Sequence, residues 1–97
     1  MITRKTALEI LREFMRESGD QYGILELGVF GSVARDEAKE DSDVDVVVRI
    51  SKPDLFSLIG IKQDLEEQFD RPVDIVRYRE KMNDFLKKRI DQEAVYV

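Results

Sequence analysis

Residues 43–50 read DVDVVVRI, and this octapeptide decides the fold. Val44, Val46, Val48 and Ile50 form one wholly apolar set of alternate positions; Asp43, Asp45, Val47 and Arg49 form the other. A period of two with β-branched side chains predicts a strand with one face in a core. Slipping the register by one residue would bury two aspartates, so the pattern also fixes which face points inward. Upstream, ILELGVF (24–30) reads as a second short strand that stops at Gly31-Ser32. Residues 33–38 then suit a helical turn with Ser32 near its N-cap. Downstream, Ser51-Lys52-Pro53-Asp54 opens a helix to about residue 69, striped by Leu55, Leu58, Ile59, Leu65 and Phe69. PVDIVR (72–77) is a third strand, and residues 80–91 a last helix with Met82, Phe85, Leu86 and Ile90 inward. At the other end, residues 3–18 predict a helix with Ala7, Ile10, Leu11, Phe14 and Ser18 on one stripe. Thr6 and Glu9 have capping-box spacing there, and Gly19 offers a stop. The tail EAVYV (93–97) is expected to dock on the body. The helical crossover makes strands 43–50 and 72–77 parallel neighbours. The expected fold class is therefore α/β (α+β): a small mixed sheet of about three or four strands covered by helices, in a single domain over residues 1–97.

Composition narrows the chemistry. The chain has 97 residues, 42% of them hydrophobic, which suffices for one core and leaves little room for a catalytic core plus a separate substrate-binding domain. It has no cysteine and no histidine, which excludes thiol catalysis, imidazole general bases and zinc sites built on sulfur or imidazole. A metal would have to be held by oxygen, which favours a hard ion such as Mg²⁺. No apolar run approaches a membrane span, and the amino-terminal residues lack a signal-peptide pattern, so a cytoplasmic protein is expected. The net charge of −5 argues against direct nucleic-acid binding.

Three carboxylates stand in strands, where aspartate is disfavoured. Asp43 and Asp45 share a face, and Asp74 joins them if the next strand is adjacent. Clustered anions repel, and a divalent cation is the usual compensation. Gly31-Ser32, between a strand and a helical turn, suits a phosphate approached by backbone N–H groups and a hydroxyl. Phosphate beside metal-holding carboxylates points to phosphoryl or nucleotidyl transfer. Each feature alone has a plain reading as a turn or a solvated edge; their joint occurrence in this order does not. Arg35 is placed to reach a phosphate or to answer Asp36, Glu37 or Asp41, and Ser42 to support the loop before Asp43. Residues 77–89 carry six bases, Arg89 among them, as a solvated face or a patch for a nucleotide, an acidic partner or RNA. Tyr22, Tyr78 and Tyr96 are candidates for stacking on a base or for partial burial.

Gly31-Ser32, ten residues, then Asp43-Val44-Asp45 resembles the G-S-x₁₀-D-x-D signature of the polymerase-β-like nucleotidyltransferase superfamily. The stretch GSVARDEAKEDSDVDVVV (31–48) is similar to the minimal nucleotidyltransferases (MNT) of bacteria and archaea, which pair with HEPN-domain toxins. One departure is Asp36, where those proteins commonly carry glycine. The resemblance implies transfer of AMP from ATP, with Mg²⁺ (two ions), to a hydroxyl acceptor. In the toxin-paired relatives that acceptor is a tyrosine of the HEPN toxin, and its adenylylation silences the toxin. By position, Gly31 and Ser32, with Arg35 and Ser42 beside them, would hold the triphosphate; Asp43, Asp45 and Asp74 would be the catalytic, metal-holding carboxylates. Two other readings use the same residues. One is a non-catalytic antitoxin that neutralises its partner by binding. The other is a subunit of a small-molecule, aminoglycoside-type nucleotidyltransferase, acting as a homo-oligomer.

Overall fold

The computed structural model describes the whole chain, Met1–Val97. Its order is α1 (Arg4–Tyr22), β1 (Ile24–Phe30), α2 (Gly31–Ala34), β2 (Val44–Ile50), α3 (Leu55–Phe69), β3 (Val73–Arg77), α4 (Asp84–Glu93) and β4 (Val95–Tyr96). The strands form one mixed sheet in the order β3-β2-β1-β4. β2 and β3 are parallel, joined by the α3 crossover as the sequence predicts. β1 runs antiparallel to β2 and to β4. The tail expected only to dock is thus an edge strand, pairing Gly28 with Tyr96 and Val29 with Val95.

The two faces of the sheet carry separate cores. On one, Val44, Val46, Val48 and Ile50 pack with Leu27 and Val29 against Ala7, Leu11 and Phe14 of α1 and Ile61, Leu65 and Phe69 of α3. On the other, Phe30 and Val47 pack with Ile90 of α4, flanked by Val76, Tyr78, Met82 and Leu86. Burying apolar surface on this scale is the main favourable term in holding the sheet together.

Several helix details depart from the expectations. α1 is capped by Thr3, whose hydroxyl accepts the Thr6 N–H at 3.1 Å. It runs through Gly19 and ends at Gly23, whose φ of 66° supplies the left-handed turn. Gly19 is buried within α1, beside Met15, instead of stopping the helix. In α3 the inward seam is Leu58, Ile61, Leu65 and Phe69, while Leu55 and Ile59 are exposed. Ile61 with Leu65 and Phe69 keeps a spacing of four, which sets the buried stripe. α4 begins only at Asp84, with Asn83 as its N-cap accepting from the Leu86 N–H. At 100° per residue, Phe85 lies on the side of α4 opposite Ile90, and it is 74% exposed. No helix of the chain is long and apolar enough to cross a membrane.

Candidate active site

β1, β2 and β3 converge on the site through their register. Phe30, the last residue of β1, pairs with Asp45, and Asp45 pairs across the parallel ladder with Asp74. All three therefore sit side by side on the α4 face, with Asp43 just before β2 on the same alternation. Asp43 and Asp74 are exposed and Asp45 is half-buried.

Gly31 explains why the chain turns where it does. Its φ is 74°, in the left-handed region that favours glycine. A Cβ there would lie 2.2 Å from Asp45 Oδ2, far inside contact distance. Glycine thus lets the backbone pass directly over the central carboxylate. α2 starts at Gly31 itself, so Ser32 lies in its first turn, half-buried, and not at the N-cap as expected. The N-cap is Phe30, which brings no capping side chain.

The electrostatics follow from this crowding. Burial raises the Asp45 carboxyl above its ordinary pKa, and the negative charge of Asp74, and less strongly that of Asp43, pushes the same way. Arg89 and Arg35 oppose them. The anions outweigh the cations at Asp45, which is the imbalance that a bound cation relieves. As the side chains stand, no three acidic groups close around one point tightly enough to ligate an ion. Magnesium in phosphoryl-transfer sites is held by one or two carboxylates together with the substrate's phosphates. An all-oxygen donor set, with the Gly31 backbone passing close over Asp45, fits that ion without a closed protein cage.

The other candidate residues divide. Arg35 is engaged, though mainly with a residue the sequence reading did not consider: its Nη1 donates to Glu93 Oε1 at 2.7 Å, and its Nε stands 3.6 Å from Glu37. Ser42 serves the loop: its hydroxyl accepts the Lys39 N–H at 2.8 Å, and its carbonyl accepts from Arg71 Nη1 at 3.3 Å. Both contacts brace the turn that delivers Asp43 to β2. Asp36 has a φ of 60°, in the left-handed region that favours glycine, and its carboxylate accepts the Arg4 N–H at 2.9 Å. Negative charge at the start of α1 is favourable there. Tyr22 and Tyr78 are taken up by bonds to Asp64 and Asp91. Glu93 is the site residue that sequence reasoning missed, and Arg89 was noted only within a basic run. Their spacing of four on α4 was the available signal.

The surface over the carboxylates is open. The chain's two depressions are lined by residues of the outer side of α4 and by residues around Gly23 and Pro53, and neither includes Asp43, Asp45 or Asp74.

Residues 8–97 match the family model described as nucleotidyltransferase domain. The protein adenylyltransferase MntA of Thermococcus cleftensis is 37% identical over 98 residues, covering 100% of this chain and 98% of the relative. A solved structure assigned as a minimal nucleotidyltransferase superposes with a TM-score of 0.77 at 33% identity, over 97% of this chain and 95% of that one. A crystal structure of a toxin–antitoxin with AMP-PNP shares the fold, with a TM-score of 0.75 at 19% identity, over 91% of this chain and 69% of that one.

Proposed function

Since the chain belongs to the nucleotidyltransferase domain family and is an enzyme of the protein adenylyltransferase kind, we propose that it transfers AMP from ATP to a tyrosine hydroxyl of a partner HEPN-domain toxin, with Mg²⁺, and thereby acts as the antitoxin. The observation that carries this reading is the junction of Gly31 with Asp45 and Asp74: a glycine turn with no room for a side chain, laid over paired carboxylates. One element to bind phosphate and one to hold a cation are thus fused at a single point. This reading assigns residues 1–97 to one nucleotidyltransferase domain and puts the reaction in the cytoplasm.

In this reading Gly31 and Ser32 bind the triphosphate, with Arg35 beside them, while Ser42 holds the loop rather than the nucleotide. Asp43 and Asp45 hold Mg²⁺, and Asp74 completes the set. Bound Mg²⁺ would polarise the α-phosphate and neutralise the leaving pyrophosphate. The tyrosine oxygen attacks the α-phosphorus, the bond from that phosphorus to the bridging oxygen breaks, and pyrophosphate leaves. Asp74, exposed at the edge of the row, accepts the hydroxyl proton. The partner brings the tyrosine to the exposed side of Asp43 and Asp74. The most direct test incubates the protein with Mg²⁺, α-labelled ATP and the HEPN partner. Label on the partner is expected, falling about a hundred- to a thousandfold in Asp43→Ala, the usual cost of removing one charge-stabilising group from such a site. A tight complex with no label would replace catalysis by neutralisation through binding.

A further inference from the structure

The start of α2 has no cap of its own, yet its first N–H is satisfied. Gly31 N–H donates to Glu93 Oε2 at 3.2 Å, from a residue at the end of α4. The other oxygen of the same carboxylate accepts from Arg35 Nη1 at 2.7 Å. Arg89, one turn earlier on α4, brings Nη2 to 3.7 Å from Oε2. Its guanidinium also lies 5.8 Å from the centre of the Phe30 ring, which keeps it on the side of α4 facing the start of α2. One carboxylate thus gathers a backbone N–H from the glycine turn and two guanidinium groups. Planar guanidinium forks and free N–H groups are the donors that phosphate oxygens take. Both arginines also act electrostatically on Asp45, so they face the carboxylate row and not bulk solvent alone.

We propose that Glu93 is an internal stand-in for the nucleotide's phosphates: it occupies Gly31, Arg35 and Arg89 in the free protein and is displaced by the triphosphate, which then takes Arg89 as a binding residue outside the Gly-Ser and Asp-x-Asp motif. The inference rests on the reading of residues 31–45 as the nucleotide site. A single carboxylate carries less charge than a triphosphate and fewer acceptor oxygens, so the exchange runs toward nucleotide. The displaced Glu93 stays tethered through α4, and it re-forms its contacts when pyrophosphate leaves. In this way the arginines are never left unpaired between turnovers.

The test is a calorimetric titration with α,β-methylene ATP and Mg²⁺, an analogue that cannot release pyrophosphate, alongside thermal melting of the nucleotide-free protein. Glu93→Gln keeps the shape and removes the charge. It is expected to bind the analogue about tenfold tighter, the scale of losing a partly exposed charge-assisted competitor, while melting at a lower temperature. Arg89→Ala is expected to bind about tenfold more weakly than the wild type, and to weaken Glu93→Gln as well. A residue that only clasps α4 to α2 would lower both melting temperature and affinity. Unchanged or weaker binding by Glu93→Gln, with the wild type binding normally, overturns the stand-in and leaves the nucleotidyltransferase reading intact. Failure of the wild type to bind the analogue overturns both.

Discussion

The two faces of β2 are cut from one seven-residue strand and obey opposite rules. Val44, Val46, Val48 and Ile50 are buried against α1 and α3 in an apolar cluster that contains no charged residue. On the other face Val47 is equally buried beneath α4, but two residues away Asp45 is half-exposed with like charges beside it. The first face is optimised for its own folded state. The second is left electrostatically incomplete, and that incompleteness is what a nucleotide and a cation can satisfy. A strand serves both ends because alternation separates the two demands by a single residue.

The sharpest way to break this division is at Gly31, where the two demands meet. Gly31→Ala puts a Cβ against Asp45 Oδ2 at a φ of 74°, so the turn, the carboxylate or both must shift. AMP transfer is expected to fall about a hundredfold, the usual consequence of displacing reacting groups by about 1 Å. The strained backbone should also cost about 1–2 kcal/mol of stability. Transfer rates normalised to folded protein separate the two effects; an unaltered rate would mean that the glycine only shapes a turn.

Val46→Ala probes the opposite face with the opposite signature. Val46 has no exposed surface, and removing two methyl-sized groups there should cost about 2 kcal/mol, or about 10 °C in melting temperature. The transfer rate of the folded fraction should not change. A loss of rate at constant folded fraction would show that packing on the core face reaches through the sheet to the carboxylates.

The same division explains what the sequence revealed. Strand patterns and the Gly31, Asp43, Asp45 and Asp74 spacings were legible because alternation and a glycine-requiring turn are local properties. The parallel pairing that sets Asp45 opposite Asp74 followed from the crossover rule. Helix faces were less legible: in α3, Leu55 and Ile59 fit an apolar stripe as well as Ile61 does, and only the packing against the sheet selects Ile61. The start of α4 was set too early because Asn83, three residues into the expected helix, caps it instead. Glu93 was hidden for a different reason. Its spacing of four from Arg89 hinted at a pair on α4, but its contact with Gly31 spans 62 positions of sequence, which that spacing does not encode.

The smallest expected effect is on stability at the site itself, and it has a definite sign. Asp45 binds its proton more strongly in the folded chain than in the unfolded one, because burial and the neighbouring Asp74 disfavour its charge. Between its unfolded and folded pKa values the native state holds more protons, so stability falls as the pH rises through that interval. Above it the penalty for the ionised carboxylate is fully present. Asp45→Asn removes that penalty and, in chelator, should melt a little above the wild type at pH 7. The difference should vanish as the pH drops below the ordinary carboxylate value near 3.8. Millimolar Mg²⁺ with ATP should raise the wild-type melting temperature and not that of Asp45→Asn. If Asp45→Asn instead melts lower at pH 7, Arg35 and Arg89 already compensate the carboxylate, and the contrast between the two faces of β2 reduces to one of burial alone.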